Sequence, residues 1–479
     1  MPGLAAPAFF SPPQAQGVEL PSPMDEATRR AVEDYHRLLR DDAGLAEELE
    51  QRFEGRMREA KLTFGGRVLC PFLRPNFVSP AVYEEIRGVC RGIFRAIEKA
   101  EERLGPGLWD RVDLTPDERE LAEVDPGYRR SSPTSRLDSF ITTSAYQFVE
   151  LNAESPAGIA YNEVLADVFL ELPIMARFQE RYRLRRFRAR DRLLETLLAC
   201  HREAGGREEK PTIAVVDYED VPTRTEHHLF REFFEKEGYP ALVCDPRHLT
   251  YEKGVLRHEG RAIHIVYKRL LVNELLDRKD ELQPLLRAAR ERAVTVVNPF
   301  RCKAIHKKAI FAVLTDDELQ GLFTGEERAA IAAHVPWTRR VRAGHTLRGG
   351  ETIDLPEYIR KNRDHLVMKP NDEYGGKGVF IGWEMTDTAW EEALAQALRA
   401  SYVVQQKVEL QRESFPELVT RDGRPGIVFR DLVVDLDPFV FEGEVEGFLT
   451  RLSGTSLANV TSGGGQVPAF LVEPRYTPA

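Results

Sequence analysis

Two short runs of β-forming residues, 135–141 (SRLDSFI) and 146–152 (YQFVELN), are separated only by the polar tetrapeptide TTSA, and they constrain this chain more than any other segment. Both are rich in Phe, Ile, Val and Tyr, and the gap between them has the length of a hairpin loop. With the loop centred on Ser144, Asp138 faces Glu150 across the ladder and Arg136 faces Asn152. Strand side chains alternate with a period of two, so all four share one face. Two carboxylates about 5 Å apart repel by roughly 3 kcal/mol at an effective dielectric near 20, more than the roughly 0.2–1 kcal/mol that a good cross-strand pair returns. A positive charge is therefore expected between them. Asp, Glu and the Asn carbonyl are hard oxygen donors that suit Mg2+ and leave room for water and phosphate oxygens. A solvated hairpin whose carboxylates pair with Arg129, Arg130 or Arg136 would meet the same electrostatic demand.

Composition narrows the class. A chain of 479 residues can bury several cores, and 42% hydrophobic with 30% charged residues describes a soluble globular protein. The 67 basic and 77 acidic residues give a net charge of −10, which argues against a nucleic-acid protein and is compatible with cationic or amine substrates. Five cysteines (Cys70, Cys90, Cys200, Cys244, Cys302) lack any CxxC spacing, so neither a disulfide framework nor a zinc knuckle is indicated. They are expected as buried apolar fillers in a reducing compartment. His227-His228 and His258-Glu259 do not complete an HExxH, which disfavours a zinc hydrolase. The first residues, MPGLAAPAFFSPPQAQGVELPSP, have no basic n-region and read as a flexible arm. Without any run near 18 apolar residues no membrane span is expected, and the expected location is cytoplasmic.

Helical periodicity covers 22–62, with Ser22 as candidate cap and Val32, Tyr35, Leu38 and Leu39 on one face, and again 79–104. After the hairpin, Asn162 to Tyr182 and Arg188 to Ala204 are predicted helical. The pattern then alternates. Strands are expected at 212–218, 241–245, 262–270 and 294–298, with helices at Thr225 to Glu237 and Asn273 to Arg292, which predicts a parallel three-layer subdomain. The loop Glu219 to Arg224 then lies at a carboxyl strand end, where such sheets collect ligands. NPFRCKAIHKKAIFAVL (298–314) is a loop leading into a helix that carries Lys303, Lys307 and Lys308. A strand (365–370), a glycine loop (371–380), a helix from Thr388 to Ala400, the strand-like YVVQQKVEL (402–410) and strands at 426–436, 438–442 and 445–452 follow, with a last glycine turn, SGGG, at 462–465.

Lys369 ends a strand just before Gly375, Gly376, Lys377 and Gly378. Glycines let the backbone take positive φ and approach a polyphosphate, while a strand-borne lysine offers it a point charge. Neither GxxxxGK[ST] nor a strand-linked GxGxxG occurs, so this would be a hairpin flap and not a Walker loop; an ordinary flexible hairpin fits the glycines as well. YVVQQKVEL could offer backbone groups to an adenine edge or be an edge strand with solvated Gln and Lys. The three lysines near 303–308 could be surface charges, and Arg451 could pair with acids of the 442–446 group.

In combination, the R-x-D and E-x-N of the hairpin (Arg136, Asp138, Glu150, Asn152), NPFRCKAIHKKAI, VMKPNDEYGGKGV and GFLTRLSGTSLANVTSGGGQ resemble the circularly permuted ATP-grasp family, including the synthetase domain of glutathionylspermidine synthases and the permuted type 2 proteins, over roughly 130–479. In ordinary ATP-grasp enzymes the E-x-N follows the glycine loop; here it comes first, as permutation would produce. The resemblance implies a mixed α+β and α/β chain: a flexible arm and helical section at 1–130, a permuted segment with the metal-ligand hairpin at 131–210, a Rossmann-like pre-ATP-grasp subdomain at 211–300, and nucleotide-binding subdomains at 301–479. It implies an ATP-dependent carboxylate-amine ligase acting through an acyl phosphate, with small-molecule or peptide acid and amine substrates. Asp138, Glu150 and Asn152 would hold one or two Mg2+. Lys308, Lys369, Gly375, Gly376 and Gly378 would contact phosphates, and Gln405, Gln406 and Val408 would line the adenine. Arg136 and Arg451 would stabilise developing charge. A nucleotide-binding scaffold without turnover is the alternative. Lys307 stands where the family has Asn and Asp437 where type 2 members commonly have Arg, so substrate specificity does not transfer.

Overall fold

The computed structural model describes residues 25–475 except 42–43, 65–66, 142–145, 422–423 and 456–463. The N-terminal arm with its Ser22 cap, the TTSA loop and Ser462-Gly463 of the last glycine turn lie outside the described residues. Around the hairpin an antiparallel sheet assembles, in the order Gly465–Val467, Glu444–Ser453, Arg424–Phe441, Thr134–Ile141, Tyr146–Asn152, with Arg412–Arg421 also paired to the long Arg424–Phe441 strand. That long strand replaces two separate expected ones. Pro438 cannot donate to a ladder, and the pairing is irregular between Pro438 and Val440 without the strand ending.

The alternating region folds as expected into a fully parallel sheet, ordered Thr295–Val297, Ile265–Lys268, Ile213–Val216, Ala241–Cys244. Its near-continuous burial reflects helices packed over it. A small antiparallel meander, Leu249–Glu252, Val255–His258 and Arg261–Ala262, comes before the third parallel strand; its first two strands fall where none was expected, and its last takes up the start of the expected 262–270 strand. A third sheet, Thr338–Arg340, Tyr402–Gln406, Leu366–Pro370 and Phe380–Ile381, is antiparallel throughout. Tyr402–Gln406 is paired on both sides, so it is not an edge strand.

Helix Pro80–Leu104 begins where Ser79 accepts the Val82 N–H at 3.3 Å, and it buries Val82, Ile86, Cys90, Ile93 and Ile97. Prolines explain the corrections to two of three expected helices. The 162–182 segment is two helices, Ile159–Leu170 and Pro173–Gln179, followed by a strand, Tyr182–Arg186, that pairs with Ala469–Pro474. The 273–292 segment splits into Val272–Asp277 and Gln283–Arg290, with Pro284 in the first turn of the second. The leading 22–62 segment is two helices, Glu26–Asp41 and Leu45–Glu59.

Asn298 ties the parallel sheet to the hairpin. Its amide donates to the Thr134 and Ala153 carbonyls at 2.6 and 2.7 Å, and its oxygen accepts the Thr134 N–H at 3.1 Å. All five cysteines are buried without a disulfide, and among the described residues no helix is long and apolar enough to cross a membrane. Phe148, fully buried, packs edge-on against Tyr146 at 5.3 Å and seats the hairpin in its core. Phe148→Ala should destabilise the fold by about 3–5 kcal/mol, read as a lowered urea midpoint.

Candidate functional site

The hairpin pairs as its sequence indicates, with Asp138 opposite Glu150 and Arg136 opposite Asn152. Near the turn, however, the register is one residue out, with Ile141 opposite Tyr146 and Ser139 opposite Phe148, and a bulge at Val149 restores it. Bulges bend a strand and re-aim its side chains, and this one sits beside the functional face.

Protein cations meet the expected demand for positive charge. Asp138 receives Arg136 Nε at 2.8 Å, Arg136 Nη2 at 3.1 Å, Arg451 Nη2 at 2.7 Å and Asn152 Nδ2 at 2.7 Å. Of the three arginines proposed for a solvated hairpin, Arg136 does pair with Asp138, but both are buried; Arg130 is drawn to Glu98 instead. Arg451 does not pair with the 442–446 acids, because Glu444 is engaged by Arg87 and Arg91 and Arg451 points into the sheet. There it meets Asp138, Asp435 and, at 2.9 Å, Asp437. Burial alone would raise the Asp138 carboxyl, but the charges of Arg136 and Arg451 outweigh it and hold it well below its usual range. Burial pushes Asp437 well above the usual range, against the pull of Arg451 and helped by the neighbouring Asp138 and Asp435.

Lys308 is not inside a helix. NPFRCKAIHKKAI forms a short helix, Lys303–His306, then breaks, and Lys308 precedes the next, Ala309–Leu314. Its Nζ lies 3.2 Å from Glu150 Oε1 and donates to the Glu373 carbonyl at 2.6 Å, joining hairpin to glycine loop. None of the three lysines is a surface charge. Lys303 binds Glu154 at 2.9 Å and Asp372 at 2.6 Å, and Lys307 binds Glu118 at 2.9 Å. Lys369 donates to Gln405 Oε1 at 2.7 Å, so that Gln405 side chain is committed to the lysine and to Thr338.

These pieces converge on one cavity of about 500 Å³. Arg136, Asp138, Glu150, Asn152, Lys308, Lys369, Gly375, Gly376, Gln405, Gln406, Val408 and Arg451 all line it. Gly378 does not. Its φ is +70°, and a Cβ there would lie 2.9 Å from Pro370 Cγ and 3.1 Å from the Tyr402 hydroxyl, so it closes the flap onto its own sheet. Sequence reasoning missed Trp383, Ile381, Val367 and Leu410, which form an apolar part of the wall, and Asp435, Asp217, Arg269 and Glu274. Asp435 was findable: it stands two residues before Asp437 on the same strand, hence on the same face.

The donor set on the hairpin face fits a hard divalent cation, since Glu150 and Asn152 are half-buried oxygen donors on the cavity wall beside Asp138. Glu154, His306 and Asp372 also cluster, but the Lys303 ammonium already lies between Glu154 and Asp372.

No protein-family model matches the sequence, and no curated protein matches it. Among solved structures, a glutathione synthetase-like effector from Globodera pallida, in apo form, aligns over 88% of this chain and 97% of its own, with a TM-score of 0.52 and 12% identity. A protein described as a γ-glutamylcysteine synthetase, from Methylobacillus flagellatus, covers 79% of this chain and 88% of its own at TM-score 0.41 and 10% identity. The D-cycloserine synthetase DcsG covers 56% and 75% at TM-score 0.30 and 19% identity. The first likeness gives a class of fold: a mixed α+β architecture shared with that glutathione synthetase-like effector.

Burial pulls the Lys369 ammonium down to about 8, with Glu150 opposing and Lys308 adding to the shift. Below that pH the buried charge costs stability, and the fold gains as pH rises from about 8 toward the ordinary 10.5. Acylation of Lys369 by an amine-selective reagent, followed by peptide mass spectrometry, should reach half its maximal rate near pH 8, well below that of exposed lysines.

Proposed function

We propose that the protein is an ADP-forming carboxylate-amine ligase. The carrying observation is the convergence, from segments far apart in sequence, of the carboxylates and amide of the hairpin, Lys308 and Lys369 on one cavity roofed by a glycine flap. Asp138, Glu150 and Asn152 would hold Mg2+, which when bound offsets charge on the phosphates of ATP. Lys308 and Lys369 would bind phosphate oxygens, and positive φ at Gly375 and Gly376 lets the flap backbone approach them. The apolar wall around Trp383, Ile381 and Val367 is suited to a purine, with Gln406 and Val408 at its edge. Arg136 and Arg451 would stabilise charge that develops as the γ-phosphoryl passes to a substrate carboxylate and as an amine then displaces phosphate. The flap would exclude water from the acyl phosphate. The chain divides in this reading as its resemblance implies, with the parallel sheet serving substrate and the 301–479 region serving nucleotide.

One observation favours a second reading, a nucleotide-binding scaffold without turnover: Asp138 already receives three side chains, Arg136, Arg451 and Asn152. Steady-state ADP release in the presence of Mg-ATP, paired acids and amines separates the two. The ligase releases ADP only with both substrates, and Asp138→Asn lowers the rate by about 10²–10³. Lys308→Met should raise KM for ATP about tenfold or more. Tight Mg-ATP binding without release across a broad panel would instead establish the scaffold.

A further inference from the structure

One wall of the cavity plays no part in the phosphate chemistry. It is built at the carboxyl ends of the parallel sheet, where Ile213–Val216 runs into Asp217 and Ile265–Lys268 into Arg269. Asp217 is only 4% exposed. Its Oδ1 accepts the Tyr218 N–H at 2.8 Å, whereas Oδ2 accepts no hydrogen bond among the described residues and lies 3.5 Å from His227 Nε2. His227 supplies no charge, because burial, with Arg269 and Arg224 adding, keeps its ring neutral.

Arg269 is matched elsewhere. Its Nη1 donates to the Pro156 carbonyl at 2.7 Å and to the Tyr267 hydroxyl at 3.0 Å, and its Nη2 lies 3.6 Å from Glu226 Oε2. Glu226 is itself pinned by the Gly158 and Ala160 N–H groups at 2.8 and 3.0 Å. Among the described residues, two carboxylates on this wall therefore form no ion pair with a lysine or arginine: Asp217 and Glu274, whose Oε2 accepts the Leu271 N–H at 2.9 Å. Burial brings the Asp217 carboxyl up to about 7, with Arg269 opposing and Glu274 adding to the rise. The glycine flap contributes Tyr374, 58% exposed and lining the same cavity. Burial raises its hydroxyl, and the charges of Glu274, Glu373 and Asp217 raise it further. Two unmatched carboxylates and an aromatic residue lining one cavity are the groups from which a cation receptor is built.

We infer that Asp217, Glu274 and Tyr374 form a subsite that docks the amine co-substrate by its positive charge, on the parallel-sheet side of the cavity. The inference rests on the ligase reading for its biological meaning, but not for its test. The full chain, with and without Mg2+ and a non-hydrolysable ATP analogue, is titrated at pH 7 with butylamine, butanol and butyrate, matched in size and differing in charge, and binding is followed by saturation-transfer NMR. Selective binding of the butylammonium ion is expected, weakened at least tenfold by Asp217→Asn or Glu274→Gln and severalfold by Tyr374→Leu, while the first two variants keep nucleotide affinity within about twofold. Should Asp217→Asn fail to fold by its melting curve, Glu274→Gln at a half-exposed helix start decides the matter. Equal binding of all three probes, preference for butyrate, or unchanged butylammonium affinity in Glu274→Gln overturns the subsite. Nucleotide binding without charge-selective amine binding removes the subsite alone; charge-selective amine binding without nucleotide binding supports the subsite and removes the ligase reading.

Discussion

Three carboxylates, Asp138, Asp435 and Asp437, are buried around two arginines, Arg136 and Arg451, and the remaining site geometry depends on that arrangement. Buried charge is tolerated only when paired and hydrogen-bonded, because the desolvation cost of an isolated ion is several kcal/mol. Here the acids outnumber the bases by one, so the group as a whole favours retaining a proton, and Asp437 is where burial concentrates that demand. The network joins the hairpin to the strands Arg424–Phe441 and Glu444–Ser453, fixing side chains far apart in sequence against one another. An arginine at 437 would place a third cation beside Arg136 and Arg451; the aspartate reverses the sign of that contact.

The cavity lies where three sheets meet, and each contributes a different kind of group. The antiparallel sheet supplies oxygen donors and arginines, the flap sheet a lysine and glycines, and the parallel sheet carboxylates at its carboxyl ends. Lys308 joins two of these by contacting both Glu150 and the flap carbonyl of Glu373. Asn298 joins the third by gripping the backbone at both ends of the hairpin. The glycine loop is held at its base by Lys303 at Asp372 and by Lys308 at the Glu373 carbonyl, and beyond these Gly375 and Gly376 take positive φ.

Much of the site was legible because strand periodicity is local. Asp138, Glu150, Arg136 and Asn152 were placed opposite one another by counting from Ser144, and the pairing follows that count despite the bulge at Val149, which no local pattern announces. The parallel sheet was visible in the alternation of short apolar runs with amphipathic segments. The lysines of 303–308 were misjudged as possible surface charges because their partners, Glu118, Glu154 and Asp372, lie far away in sequence. Gly378 was grouped with the phosphate glycines by adjacency, although packing against Pro370 and Tyr402 sets its role.

By itself the sequence determined the pairing of Asp138 with Glu150 and of Arg136 with Asn152, the strand and helix alternation, the glycine flap and the types of group available for chemistry, since propensity, periodicity and turn residues act over a few neighbours. Tertiary structure alone decided which charges neutralise which, that Arg451 serves Asp138 and not the nearby acids, and that Asp217, Glu274 and Tyr374 share a wall with the hairpin. Electrostatic pairing and burial depend on distances through space, and residues hundreds of positions apart have none until the chain is folded.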